Sequence, residues 1–92
     1  MNEDLRLEDA QKVVVRPYIT ERTFEQIERE NKLCFIVADD ASKTQIASAV
    51  ETLYEVAVTE VNTTRTLGGK KAFVRLAAES SATELATKLG LV

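Results

Sequence analysis

An acid-free segment, residues 61–78, restricts the folds open to this chain more than any other feature. Its four basic residues are Arg65, Lys70, Lys71 and Arg75, which give it a charge of +4. The remaining residues hold 8 basic and 15 acidic side chains, so the chain of 92 residues carries −3 overall. Residues that favour strands flank Leu67-Gly68-Gly69, and a glycine turn between two such runs predicts a β-hairpin. The sequence therefore predicts two adjacent antiparallel strands that concentrate positive charge.

The charge of this hairpin admits two interpretations. A chain that is acidic overall binds a polyanion only through a concentrated basic patch, and a basic hairpin tip has a shape that reaches into folded RNA. Lysines on an edge hairpin also keep a sheet from pairing with other chains, which requires no ligand. Charge by itself favours neither interpretation.

Strand and helix signals follow one another in the order β-α-β-α-β-β-α. The β-branched and apolar runs that favour strands cover residues 12–16, 32–38, 56–66 and 70–77. Between and after them lie three amphipathic helical patterns. This order predicts an α+β domain with a four-stranded, mainly antiparallel sheet and three helices.

The starts of the helices are marked by residues that cap helix N-termini. Thr20 precedes the first helical pattern and Ser42 the second, and Ser81 precedes the last. Gln45 and Glu84 follow their serines by three residues, which is the spacing of a capping box. All three helices should therefore begin directly after these caps.

The second strand, residues 32–38, is apolar on both faces. This pattern predicts a central position with helices on both sides of the sheet. Asn31 before it suits the left-handed end of the preceding helix. Cys34 within it is the single cysteine and is predicted to be a buried, small hydrophobic residue. The third strand loses its alternation near Thr59-Glu60, which predicts a β-bulge there.

The first eleven residues differ in composition from the remainder. They contain four acids and too few apolar residues to offset the entropy of ordering them. We expect an acidic, flexible or loosely docked extension at 1–11 and a single α+β domain at 12–92. The acidic N-terminus lacks the pattern of a secretory signal, so a cytoplasmic location is expected.

Composition argues against several classes of function. The chain has no His, so an imidazole base is absent. With a single Cys and no His, a zinc site is not expected. The chain also has no Trp. Gly68-Gly69-Lys70-Lys71 lacks the spacing of a phosphate-binding loop. Asp39-Asp40 is typical of turn and cap residues. We expect no enzyme, no cofactor, no metal, no small-molecule substrate and no membrane segment.

Polar residues on the third strand suit a different role. Residues 62–66 combine an amide, three hydroxyls and a guanidinium, which are donors suited to phosphate oxygens and to the ribose 2′-hydroxyl. Exposed threonines on a strand also explain three of these residues without any ligand. Lys43 lies at the start of a helix, where its charge opposes the helix dipole and hints at an external anion.

Four stretches of the chain, taken in order, resemble the large-subunit ribosomal protein twenty-three family in its short archaeal form. They lie within residues 13–77. The stretches are 17–22, 31–37, 41–56 and the pair 61–63 with 69–76. No single stretch is distinctive, but the ordered set is specific.

The resemblance implies a structural, non-catalytic ribosomal protein. Relatives bind the third domain of large-subunit ribosomal RNA at the rim of the polypeptide exit tunnel. They lie beside large-subunit ribosomal protein twenty-nine and help form the docking surface for the signal recognition particle. The loop between the last two strands is short here, so no tunnel-lining tip is expected. The alternative is a small protein-interaction module that pairs its basic hairpin edge with an acidic partner.

The resemblance also assigns roles to individual positions. Thr20 and Glu21 are expected at the factor-docking surface, although a first-turn acid also suits the helix dipole. The residues expected to face ribosomal RNA are Arg16, Lys43, Asn62, Thr63, Arg65, Lys70, Lys71 and Arg75.

Overall fold

The computed structural model describes residues 7–91 and confirms an α+β fold with a four-stranded antiparallel sheet. Within that range the helices are α1 (Leu7–Val13), α2 (Glu21–Glu30), α3 (Lys43–Tyr54) and α4 (Ala82–Lys88). The strands are β1 (Val14–Pro17), β2 (Lys32–Val37), β3 (Val58–Thr66) and β4 (Gly69–Leu76). The strand order is β1-β2-β4-β3, and each neighbouring pair is antiparallel. The predicted hairpin is therefore β3–β4, with β3 at an edge.

The prediction that β2 is central is confirmed, but the prediction of helices on both faces is wrong. Buried residues from each described helix form one continuous core with Leu33 and Phe35. Cys34 and Ile36 alternate to the other side of the strand and lie outside that core. Within residues 7–91 the helices thus cover one face of the sheet. We call the other side the open face.

Side chains of neighbouring strands explain why β2 is apolar on its open side as well. Cys34 is 1% exposed and Ile36 is 8% exposed. In the register, Cys34 lies opposite Phe73 and Ile36 lies opposite Lys71. Long side chains that lie flat on a sheet can bury smaller ones. Sequence alone does not separate this arrangement from cover by a second helix layer.

Helix α1 occupies a segment where the sequence predicts no helix. Ala10 is fully buried in the core, and the first strand begins at Val14 rather than at Lys12. A short helix of this kind is stable because it packs along α3, a tertiary contact that local patterns do not reveal. Residues 1–6 of the predicted extension lie outside the described residues, and the division of the chain at residue 12 stays a prediction.

Most of the predicted caps are confirmed. Thr20 caps α2, and Ser42 forms the predicted capping box with Gln45 at the start of α3. Asn31 ends α2 in the left-handed conformation with φ 57°. Ser81 accepts from the Glu84 N–H at 3.1 Å. Only this half of the second predicted box forms among the described contacts, and the Glu84 side chain remains exposed.

The β3–β4 hairpin also follows its predicted form. The register shifts between Val58 and Glu60, which confirms the bulge. Thr66 pairs with Gly69 across a short turn, and Gly69 adopts φ 120°, a conformation that L-residues rarely enter. Among the described helices, none is both long enough and apolar enough to cross a membrane.

Candidate nucleic-acid interface

The structure divides the eight predicted RNA-facing residues between two places. Four of them lie on strand positions whose side chains project from the open face: Arg16, Asn62, Lys71 and Arg75. The other four lie on the helix-bearing side or at the start of α3: Lys43, Thr63, Arg65 and Lys70. The predicted set therefore does not form a single surface.

Lys71 is the central cation of the open face. Its ammonium nitrogen lies 3.9 Å from the centre of the Tyr18 ring, which is the geometry of a cation–π contact. Phe73 lies two residues further along the same strand and is half-buried. The open face thus combines positive charge with two partly exposed aromatic rings. Sequence reasoning did not select Tyr18 and Phe73, although the alternation of Lys71, Phe73 and Arg75 along β4 places all three on one side.

The charges of the open face are unequally compensated. Arg75 pairs with Glu60 at 3.7 Å and with Glu30 at 3.9 Å. Glu30 also pairs with Lys32 at 3.3 Å. In contrast, no carboxylate among the described side chains lies within ion-pair distance of Arg16 or Lys71. These two residues therefore carry the uncompensated positive charge of the surface.

Asn62 and its neighbour Thr63 project to opposite sides of β3. Asn62 lies on the open face, where its Nδ2 donates to Glu60 Oε2 at 3.2 Å. This bond orients the amide while its oxygen remains an available acceptor. Thr63 lies on the helix-bearing side and is half-buried. Thr64 belongs to the polar run at 62–66 but not to the set that the resemblance assigns to RNA; it is exposed and lies opposite Lys71 on the open face.

Arg65 and Lys70 contact the loop that precedes α3. Lys70 Nζ donates to the carbonyl oxygen of Ala41 at 2.6 Å and to that of Asp39 at 3.5 Å. Arg65 Nη2 donates to the same Asp39 carbonyl at 2.8 Å, and its Nη1 lies 3.7 Å from the Asp39 carboxylate. Both cations thus have internal acceptors. Their contacts hold the hairpin against the start of α3.

Burial also changes the chemistry of the thiol beneath the open face. Loss of solvation raises the pKa of Cys34 to about 11, and the nearby Lys71 ammonium offsets part of this rise. The thiol is therefore protonated at neutral pH, as is typical of a structural cysteine. Among the described residues, no group of three or more acidic, cysteine or histidine side chains could hold a metal ion.

The predicted factor-docking residues lie at the start of α2. Thr20 Oγ1 accepts from the Thr23 N–H at 3.2 Å, and Thr23 Oγ1 accepts from the Thr20 N–H at 2.7 Å. This reciprocal pair fixes the first turn of the helix. Glu21 follows it and is exposed. Thr20 thus has a structural role, whereas the Glu21 carboxylate is accessible to a partner.

Comparison with known proteins identifies close sequence relatives. The family described as ribosomal protein L23 matches residues 12–87. The chain is 46% identical over 85 residues to large ribosomal subunit protein uL23 of Tetrahymena thermophila. It is 44% identical over 80 residues to the protein of that name from Haloarcula marismortui, and 42% identical over 84 residues to that of Methanobrevibacter smithii.

These relatives differ in length. The alignments cover 91%, 86% and 90% of this chain, respectively. They cover 94% and 98% of the two archaeal relatives but 57% of the Tetrahymena protein. The chain thus spans nearly the whole archaeal form and somewhat over half of the ciliate relative.

Proposed function

The chain belongs to the ribosomal protein L23 family, and we propose that it is a structural, non-catalytic component of the large subunit of the cytoplasmic ribosome. The match over residues 12–87 supports this proposal because it includes all four strands of the sheet. Translation is therefore the process in which the chain takes part. Its contribution is to bind and position other components rather than to catalyse a reaction.

The finer assignment follows the resemblance of the four sequence stretches. The chain binds the third domain of large-subunit ribosomal RNA near the rim of the polypeptide exit tunnel. Large-subunit ribosomal protein twenty-nine is its neighbour, and Thr20 and Glu21 contribute to the surface that receives the signal recognition particle. The exposed Glu21 carboxylate at the start of α2 is consistent with such a contact.

The open face is the surface that best suits the RNA. The main supporting observation is that Lys71 and Arg16 share this face and lack ion-pair partners among the described side chains. Lys71 also lies over the Tyr18 ring, and Phe73 projects from the same side of β4. Uncompensated cations bind phosphates with release of counterions. Partly exposed rings and the Asn62 amide add stacking and hydrogen-bonding groups.

Arg65 and Lys70 support RNA binding indirectly, by holding the hairpin in position. Both side chains bond carbonyl oxygens of the loop before α3, so they orient β3 and β4 rather than present free charge. The hairpin turn is short, and Leu67 at its tip is fully exposed. We place the RNA on the sheet surface and not at this tip.

A binding titration tests the proposed function. The purified chain would be titrated with a third-domain ribosomal RNA fragment at two salt concentrations, with an unrelated structured RNA as competitor. Two neutralised phosphates, one each at Arg16 and Lys71, give a log–log salt slope of roughly −1.4 to −1.8. Tight, salt-dependent binding that the competitor does not displace supports the assignment. Equal affinity for the two RNAs contradicts it.

The docking role of Glu21 needs its own measurement. We expect Glu21→Ala to weaken binding of the signal recognition particle to whole ribosomes, while Glu28→Ala, a change of the same charge on the same helix, leaves it unaltered. Unchanged affinity in the Glu21 variant would remove this residue from the docking surface.

A further inference from the structure

The two edges of the sheet differ in their capacity to pair with another strand. β1 has four residues, ends at Pro17, and is irregular between Val14 and Arg16. Proline and irregularity are features that block pairing at an edge. β3 has nine residues and no proline; its bulge is confined to the start of the strand, between Val58 and Glu60, and it keeps a regular register with β4 from Glu60 to Thr66. Of the two, β3 is therefore the edge that remains able to accept a strand.

A groove lies beside this edge, on the helix-bearing side of the sheet. It has a volume of about 330 Å³ and runs between the first turns of α3 and the start of β3. Its apolar lining comes from Ala47, Val58 and Val61, each of which is half-buried. An extended segment that pairs with β3 would direct alternate side chains toward this lining.

Charge at the groove selects the kind of segment. Lys43 lines it and is exposed, and none of the described carboxylates lies within ion-pair distance of its ammonium group. As the first residue of α3, it also opposes the helix dipole. Glu60 lines the groove too, but its carboxylate is engaged by Arg75 and by Asn62. The Glu51 carboxylate accepts a 3.0 Å hydrogen bond from the Val58 N–H, about two turns along α3 from Lys43. The uncompensated charge at the Lys43 end of the groove is thus positive.

We propose that the β3 edge and this groove bind an extended, acidic segment of another protein, which adds a fifth strand to the sheet. Main-chain hydrogen bonds to β3 supply affinity, small apolar side chains enter the groove, and a carboxylate on the same face of the added strand pairs with Lys43. The proposal goes beyond RNA binding and does not depend on it, because the RNA surface proposed above is the open face.

The test uses the full chain, labelled with nitrogen-15 and titrated with synthetic octapeptides. One peptide repeats the tetrad Val-Thr-Glu-Thr, which places valine and glutamate on the same face of a strand, and its counterpart has lysine in place of glutamate. We expect the acidic peptide to shift the amide resonances of residues 60–66 and of Lys43, and to bind at least about tenfold more tightly than the basic peptide. Binding of neither peptide, or equal binding of both, would overturn the proposal.

Two variants locate the contact. Ala47→Arg fills the groove, and Lys43→Glu reverses its charge; each should weaken the acidic peptide by about tenfold. Lys88→Glu makes the same charge change on α4 and should leave the affinity unchanged. A thermal melt of each variant confirms that it is folded.

A titration with the third-domain ribosomal RNA fragment tests whether the β3 edge binds RNA instead of protein. Under the proposal, the third-domain fragment shifts amides of Arg16, Lys71 and Phe73 while the acidic peptide still binds at β3. If the fragment displaces the peptide and perturbs Lys43 and Val61 instead, the edge is an RNA contact and the protein-docking proposal is wrong. Failure of the fragment to bind at all contradicts the proposed function and leaves the peptide result standing.

Discussion

Lys71 and Tyr18 meet across the open face with 3.9 Å between the ammonium nitrogen and the centre of the ring. Lys70, the residue before it, points to the other side of β4 and donates a 2.6 Å hydrogen bond to the Ala41 carbonyl. The two consecutive lysines therefore have different roles, because side chains alternate between the two faces of a strand. One presents charge to the surroundings, and the other joins the hairpin to the start of α3.

This alternation predicts opposite effects for two matched substitutions. Lys71→Met should flatten the salt slope of RNA binding by about 0.7–0.9, the contribution of one phosphate. The stability of this variant should fall by about 1 kcal/mol, through loss of a cation–π contact between two half-buried side chains. Lys70→Met should leave the slope unchanged and lower the free energy of unfolding by about 1–2 kcal/mol, through loss of a charged hydrogen bond.

Urea unfolding and RNA titration of the two variants separate these effects. Each substitution removes one positive charge and keeps a long apolar stem, so each protein serves as the control for the other. If both variants flatten the slope equally, the division between the open face and the hairpin contacts is wrong.

Asn31 joins three elements at the end of α2. Its Nδ2 donates to the carbonyl oxygens of Leu76, Ala77 and Ser80 at 3.0–3.2 Å, and its Oδ1 accepts from the Ala82 N–H at 2.7 Å. Asn31→Gly keeps the left-handed backbone but loses these bonds, so we expect a loss of about 2–3 kcal/mol in unfolding free energy.

Two further substitutions at this position separate the backbone from the side chain. Asn31→Ala should lose about 1 kcal/mol more than the glycine variant, since its Cβ opposes φ 57°. Asn31→Asp keeps an acceptor but faces three carbonyls with a carboxylate, so it should not recover the loss. If Asn31→Gly has the same unfolding free energy as the unaltered chain, the side-chain hydrogen bonds of Asn31 contribute little to stability.

The hairpin turn distinguishes its two glycines. Gly69 has φ 120°, and a Cβ there would lie 3.8 Å from Ile36 Cγ2. Gly69→Ala should therefore lower the unfolding free energy by about 1–2 kcal/mol through backbone strain rather than through collision. Gly68 lacks the positive φ, so Gly68→Ala should stay within about 0.5 kcal/mol. Equal losses in chemical denaturation would contradict this assignment.

The fold was more predictable than the surface because local signals decide most of its elements. The caps at Thr20 and Ser42, the stop at Asn31 and the bulge beside Val58 each depend on a few adjacent residues. Helix α1 was missed because its stability depends on packing along α3. The single helix layer was missed because β2 is apolar on both sides. Helices cover one side, whereas side chains of neighbouring strands cover the other.

Composition does not show how the basic residues divide between the open face and the contacts that hold the hairpin. Charge counting places Arg65, Lys70, Lys71 and Arg75 in one patch, and resemblance places them on one partner. Strand alternation could have separated Lys70 from Lys71, but the carbonyl acceptors of Lys70 come from a loop about thirty residues earlier in the chain. The Glu30 partner of Arg75 is more remote still in sequence. Such contacts require the tertiary structure.

The buried thiol of Cys34 predicts a loss of stability at alkaline pH. Burial raises its pKa from 9.0 to about 11, so below pH 9 the thiol is protonated in both folded and unfolded chains and stability is unaffected. Between pH 9 and 11 the unfolded chain loses the proton while the folded chain keeps it, which favours unfolding. The thiol should therefore remove roughly 2–3 kcal/mol across this window, at about 1.4 kcal/mol per unit of pKa shift. Cys34→Ala isolates the effect, because every other ionisable side chain is the same in both proteins. Unfolding free energies measured in urea from pH 8 to 11 should converge for the two proteins as pH rises, and parallel curves would show that the thiol is solvated in the folded state.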